Sequence, residues 1–393
     1  MQETQNENNH SALKMSLNVQ KDKLAEAVNH VMKAVSAKTT IPILTGIKLT
    51  AGSDGLILTG SNSDLSIKAR IPLTEEDEEN AVVHAPGSIV LPSRLFSEMV
   101  RKLPAAEVAI EVDTRLIAKI TSGQSEFNLN GLDPDEYPNL PVVDEKDAFS
   151  IRKDLLKDII RQTVYAVSAT ETRPVLTGVN WILKAGSLEC VATDSHRLSQ
   201  RSVNVENNRN EETRALVIPG ASLTELEKII DDDGDQMVDI VMSSNQILFK
   251  FGNIQFYSRL LDGKYPDTSR LIPTDSKSEM VVDTAQLYHS IDRASLLARE
   301  DRNNVVKLRA DNKNIEISSQ SLELGRVFET FQADEFTGDP VRISFSAKFM
   351  MDALGRIDAE RVRIYFIGPM RPIIIRPVGD QQILMLVLPI RTF

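Results

Sequence analysis

The chain has 393 residues, 41% of them apolar and 26% charged, with a formal net charge of −11; two or three domains are expected, since one hydrophobic core seldom serves that length. No run approaches the ~20 consecutive apolar residues of a membrane span, and a lone cysteine, Cys190, excludes an intrachain disulfide and fits a reducing cytoplasm. The acidic balance opposes a strong grip on nucleic acid, because proteins that bind phosphates by charge draw their affinity from released counterions.

In chain order, Met1 to Lys14 is polar, lacks the basic-then-apolar order of a secretory signal, and reads as a disordered leader. Leu17 and Val19 then open a strand, and Leu24 and Val28 lie on the inner face of a helix. The stretch Ile41-Pro42-Ile43-Leu44-Thr45-Gly46-Ile47 follows, then Leu65-Ser66, Leu91-Pro92 and a second helix decorated by Arg94, Arg101 and Lys102. Phe127, Leu132-Asp133 and Tyr137-Pro138 close the segment.

About 130 residues on, the series starts again, which identifies an internal repeat. Phe149, Ile151, Leu156 and Ile160 stand where Leu17, Val19, Leu24 and Val28 stood. Arg173-Pro174-Val175-Leu176-Thr177-Gly178-Val179 matches the first Pro-Ile-Leu stretch, Leu198-Ser199 matches Leu65-Ser66, and Ile218-Pro219 matches Leu91-Pro92. Phe256, Leu261-Asp262 and Tyr265-Pro266 close this copy as the first was closed. A fainter third copy begins with Met280, Val282, Leu287 and Ile291. The polar linkers Asp144–Asp147 and Pro273–Ser278 set the expected divisions: leader 1–14, then repeats at 15–144, 145–274 and 275–393.

Within a repeat the pattern is strand, amphipathic helix, several strands, then the same again. In the second copy Leu155, Leu156, Ile159, Ile160, Val164 and Val167 give a helix over 152–167 one apolar face. Leu216-Val217-Ile218 forms a strand, and a helix from Ala221 turns Leu223, Leu226, Ile229 and Ile230 inward before Asp231–Gly234 ends it. Strands over Val238–Met242 and Gln246–Phe251 follow. The fold class is therefore α+β, three similar domains each with two helices on antiparallel sheets.

Lys153, Lys157 and Arg161 recur at i,i+4 as a basic stripe opposite the apolar face. A stripe of this kind is usually a solvated face, and Asp154 and Asp158 balance it. Repetition supplies another use, since units joined head to tail close into rings when the rotation per unit permits. Six helices in each of two chains, ~10 Å apart, make a circle of axes ~38 Å across. Less a helix width, the bore is roughly 28 Å, enough for duplex DNA. A weakly basic lining within an acidic ring attracts DNA without gripping it.

The three-copy order, Val191-Ala192-Thr193-Asp194-Ser195-His196-Arg197-Leu198, the turn Tyr265-Pro266-Asp267 and the ending Leu388-Pro389-Ile390-Arg391 together resemble the beta sliding clamps of bacterial DNA polymerase III, from Met15 to Phe393. The resemblance implies the DNA-clamp fold and a head-to-tail homodimeric ring around double-stranded DNA, placed there by a clamp loader. It implies no cofactor, no metal and no catalysis. The replicative polymerase, and repair and other polymerases, then dock through short peptides, typically a glutamine followed by leucine and phenylalanine. By position the groove for those peptides takes Leu176, Thr193, Ser195, His196, Arg197 and Leu198 from the second domain, and Pro266, Arg270, Leu271, Met370, Leu388, Pro389, Ile390 and Arg391 from the junction and third domain. Lys38 and Arg173, in matching loops, join Lys153, Lys157 and Arg161 as DNA-facing residues. Phe127 and Leu129 of one chain are expected to meet Leu296 and Leu297 of the other.

Two other readings compete. Asp194-Ser195-His196 holds residue types of a catalytic triad, but neighbours in a loop or strand diverge, and no phosphate loop, nucleophile elbow or metal-ligand spacing accompanies them. The second is a three-repeat protein-binding scaffold that never encloses DNA. Retention on closed circular DNA separates it from a clamp.

Overall fold

The computed structural model describes residues 13–36, 39–140, 148–205, 213–231, 236–273, 275–298, 304–321 and 323–391. Lys38, the boundary expected at 144/145, and Thr392 and Phe393 lie outside them. So does most of the expected leader, although Lys14 already donates its backbone N–H to Val112 at 2.7 Å, ahead of Met15.

Each repeat carries two helices: α1 (Lys21–Met32) and α2 (Ser93–Lys102), α3 (Lys153–Val164) and α4 (Gly220–Glu227), α5 (Thr284–Ala298) and α6 (Ala347–Leu354). In the strand Met15–Gln20 the buried side chains Met15, Leu17 and Val19 alternate, and at Lys21 the period changes so that Leu24, Ala27, Val28 and Val31 turn inward. The end of α1 comes so near the sheet that a Cβ on Gly60 would stand 2.3 Å from the Val31 carbonyl oxygen, so only glycine fits. Helix α2 starts directly after Pro92 and ends on Arg101 and Lys102, cations at the negative end of the helix dipole. Helix α3 is shorter than 152–167 at both ends, and α4 stops at Glu227, leaving Ile229 and Ile230 buried in the turn beyond it.

The chain packs as two compact units that cut across the repeats. One comprises the described residues up to Ala148 together with Gln236–Arg259; the other comprises Phe149–Asp235 and Leu260–Phe393. In the first unit a five-stranded antiparallel sheet runs Ser125–Asn130, Ile117–Ser122, Glu107–Val112, Met15–Gln20, Ala81–Ala85. A further sheet of this unit runs Met237–Met242, Gln246–Phe251, Ile254–Arg259, Leu65–Ile71, Gly55–Ser61, Gly46–Gly52, Gly87–Pro92. The second-repeat strand Ile254–Arg259 thus completes a first-repeat sheet, with Phe256 opposite Ile67. That pairing is why the units and the repeats differ.

The second unit makes the same exchange. Its nine-stranded sheet joins Arg197–Asn204 of the second repeat to Ile383–Val387 of the third, with Leu198 opposite Leu386. A four-stranded sheet runs Gly325–Gln332, Asn314–Ser321, Val305–Asp311, Val341–Ser346. Helices α5 and α6 close the third repeat's core, in which Met280, Val282, Leu287, Ile291, Phe345 and Met350 are buried. Among the described residues no helix is long and apolar enough to cross a membrane.

Candidate functional site

The repeated Pro-x-Leu-Thr-Gly stretch is a single helical turn in both copies. Thr45 Oγ1 donates to the Pro42 carbonyl at 2.8 Å, and Thr177 Oγ1 donates to that of Pro174 at 2.7 Å. The glycine that follows is required by crowding, since a Cβ would lie 2.5 Å from Val90 Cγ1 at Gly46 and 2.6 Å from the Ile218 carbonyl oxygen at Gly178. The leucine of each turn packs under the closing tyrosine: Leu44 with Val90 and Tyr137, Leu176 with Val217 and Tyr265. Burial pushes the Tyr265 phenol up to about 12, and its oxygen accepts the Thr193 N–H at 3.0 Å. Beside this cluster lies a cavity of about 400 Å³ lined by Arg173, Pro174, Val175, Leu176, Asp262, Gly263, Lys264 and Pro266.

Thr193 opens the second wall. Asp194 Oδ1 accepts the N–H groups of His196 at 2.9 Å and Arg197 at 3.0 Å, a tight turn that holds Ser195 at φ +78°. Thr193 Oγ1 donates to the Arg197 carbonyl at 2.6 Å. Arg197 is buried; its Nε pairs with Asp194 at 3.0 Å and its Nη1 with Asp352 on α6 at 2.5 Å. The guanidinium carbon also stands 5.4 Å from the Tyr165 ring centre and 4.7 Å from that of Phe349. His196, exposed, stacks on Phe349 with ring centres 6.2 Å apart. The Asp194-Ser195-His196 trio therefore forms no triad, because the carboxylate serves backbone amides and Arg197 while the imidazole faces an aromatic ring.

The chain's last described residues meet this wall. Leu388 donates its N–H to the His196 carbonyl at 2.9 Å, Pro389 bridges to Phe345, and Ile390 donates to the Ser344 carbonyl at 2.7 Å. The structure thus gathers Leu176 with Pro266, and Thr193–Leu198 with Leu388–Ile390. Arg270 and Arg391 stand exposed, the former 3.6 Å from Asp267. Leu271, Met370 and Leu388 expose large apolar side chains, as a slot for leucine and phenylalanine anchors requires. Sequence reasoning missed Tyr165, Phe349 and Asp352 as members of this region. Asp352 is 155 residues from Arg197, and no local pattern points to it.

The expected DNA-facing stripe needs correction. Lys153 is 2% exposed, and its Nζ pairs with Asp231 at 2.9 Å. The buried face of α3 includes Lys153, Gln162 and Thr163 besides Leu156, Ile159 and Ile160, so the first lysine of the stripe points into the fold. Lys157 is half-buried. Arg161 forms a bidentate pair with Asp358 (Nη1 to Oδ1, 3.1 Å) and also pairs with Asp158 at 3.2 Å. That guanidinium holds the Asp358 carboxyl below the usual carboxylate range. Arg173 is exposed, but on the rim of the cavity beside Leu176.

Phe127 and Leu129 lie two apart on the edge strand Ser125–Asn130, hence on one face, with Phe127 exposed and Leu129 buried. Leu296 is 60% exposed on α5 and Leu297 is half-buried. Phe328, equally exposed on the edge strand Gly325–Gln332, was not singled out from the sequence.

Comparison with known proteins matches three family models in succession: the DNA polymerase III beta subunit N-terminal domain over residues 15–141, its central domain over 150–267 and its C-terminal domain over 269–391. The chain is 54% identical over 380 residues to the beta sliding clamp of Bacillus subtilis (strain 168), covering 96% of this chain and all of that one. It is 47% identical over 379 residues to the beta sliding clamp of Staphylococcus aureus, with the same coverage. The crystal structure of the Bacillus subtilis clamp superposes with a TM-score of 0.94 over 97% of this chain and 100% of that one. The DNA polymerase III beta chain of Streptococcus pneumoniae, 36% identical, superposes with a TM-score of 0.91, covering 96% of this chain and 100% of that one.

Proposed function

The chain belongs to the DNA polymerase III beta subunit family, and from that footing we propose that two copies join head to tail into a ring around double-stranded DNA. It is a sliding clamp, a processivity factor and not a catalyst. In this reading the three repeats occupy 15–144, 145–274 and 275–393, the protein works in the cytoplasm, a clamp loader opens the ring, and replicative and repair polymerases dock by short peptides. The cavity at Leu176 and Pro266 and the exposed Leu271, Met370 and Leu388 receive their apolar anchors.

One observation carries the ring. Twice within the chain, a sheet of one repeat is completed by a strand of the next: Leu65–Ile71 by Ile254–Arg259, and Arg197–Asn204 by Ile383–Val387. The corresponding strand of the third repeat, Gly325–Gln332, ends its sheet, and so does Ser125–Asn130, the first repeat's counterpart of the completing strands. Each exposes a phenylalanine, Phe328 and Phe127. Pairing these edges between copies repeats the same joint and leaves neither edge open.

The test is retention on DNA. After loading onto nicked circles, the protein should stay bound through a high-salt wash and leave when the circle is linearised. Loss of the protein from intact circles in salt would sink the enclosing ring and favour an open scaffold.

A further inference from the structure

We infer that Asp352 is a positioning residue for the peptide groove: it fixes the Arg197 guanidinium, and with it the Thr193–Leu198 wall, against helix α6. The inference rests on the groove reading above. Arg197 has two carboxylate partners of different kinds. Asp194 lies three residues away in the same turn, so it moves with the arginine and cannot hold the turn against anything else. Asp352 belongs to a different repeat, and its Oδ2 meets Nη1 at 2.5 Å.

The base that carries Asp352 is rigid. Helix α6 buries Ala347, Met350, Ala353 and Leu354 in the third repeat's core. Phe349, one turn before Asp352, covers the guanidinium from the same helix, and Tyr165 lies on it from the end of α3. A flat cation with rings on it and carboxylates at its edge has few orientations left. Beyond this cluster, the wall is tied to the last strand by the Leu388 N–H on the His196 carbonyl. Without Asp352 the charge-assisted link to α6 is lost, the turn samples more orientations, and a docking peptide must order it at its own cost.

The experiment titrates a labelled Gln-Leu-x-Leu-Phe peptide into the full chain by fluorescence anisotropy. Asp352→Asn should bind about tenfold more weakly through faster release, with its melting temperature within a few degrees of wild type. Asp352→Glu, which keeps the charge, should recover to within about threefold of wild type. Arg197→Met combined with Asp352→Asn should be no weaker than Arg197→Met alone, because each change removes the same link. Wild-type affinity in the Asn variant, or losses that add in the double variant, would overturn the assignment. So would a Glu variant that melts like wild type yet binds as weakly as the Asn variant. Failure of the wild-type chain to bind the peptide would instead remove the groove itself.

Discussion

Asn62 and Asp194 stand at matching turns in two copies of the repeat and accept the same pair of amides, although the residue that follows has positive φ only at Ser195 and not at Ser63. Asn62 Oδ1 accepts the N–H groups of Asp64 and Leu65 at 2.8 and 2.9 Å, and Asp194 Oδ1 accepts those of His196 and Arg197 at 2.9 and 3.0 Å. A carboxamide oxygen suffices for those two amides, so the charge at 194 has another use, the pairing with Arg197. Asp194→Asn should therefore keep most of the stability, whereas Asp194→Ala, leaving two amides unpaired, should cost about 1–3 kcal/mol. Thermal melts of the two variants check the order; equal losses would mean that the charge, not the turn, governs stability here.

Ser195 sits within that turn at φ +78°, a region that glycine enters freely and branched side chains strongly resist. Ser195→Gly should leave stability within about 1 kcal/mol of wild type, while Ser195→Val should lose about 1–3 kcal/mol. Denaturant melts resolve the difference, and a Val variant as stable as the Gly variant would mean that the turn relaxes at no cost.

Leu296 and Phe127 are exposed in the single chain, so trimming them removes little from the fold. The Phe127→Ala, Leu296→Ala double variant should keep its circular dichroism spectrum yet sediment as a monomer, given roughly 2–5 kcal/mol for each large side chain well buried in an interface. A variant that remains dimeric at low micromolar concentration would place the joint elsewhere.

Lys153 was expected to face DNA and instead is buried against Asp231. Lys153→Met should leave both the affinity for linear duplex and its salt dependence as in wild type, because a lysine that touches no phosphate releases no counterion. A shallower salt slope in electrophoretic mobility titrations would return this lysine to the DNA-contacting set.

The Asp358 carboxyl, held below its usual range by Arg161, keeps its charge in the folded state to a lower pH than in the unfolded chain. Its stabilisation is complete above about pH 4 and disappears as pH falls through the lowered folded value. With its side chain 69% exposed, Asp358 contributes little in absolute terms. Asp358→Asn should accordingly melt slightly below wild type at pH 7, and the gap should close on acidification. A gap that widens instead would reverse the sign of the linkage.

How far the sequence could be read depends on the range of the interaction. Repeats and helices were legible because their signals are local: Leu24 and Val28, and Leu156 and Ile160, are buried one turn apart as expected. Tyr137 and Tyr265 recur with the turns they cover, so the twin clusters at Leu44 and Leu176 were also within reach. The stripe on α3 misled because spacing along a helix gives an angle and not a neighbour; Asp231, which draws Lys153 inward, is 78 residues away. Asp352 and Phe349 were illegible for the same reason. The exchange of strands between repeats was invisible too, since alternation marks Ile254–Arg259 and Leu65–Ile71 as strands without saying which strand each will meet.

That exchange also orders events on the ribosome. The edge at Leu65–Ile71 is made early, but its partner Ile254–Arg259 has yet to be translated. At about 5–20 residues per second the wait is roughly ten to forty seconds. Arg197–Asn204 waits in turn for Ile383–Val387, near the end of the chain. Through both intervals the nascent chain carries an unpaired apolar strand edge, the kind of surface on which chains add to one another. Synthesis of this protein is therefore most exposed to aggregation before its final strand emerges, and a chain truncated ahead of Ile383 keeps that exposure permanently.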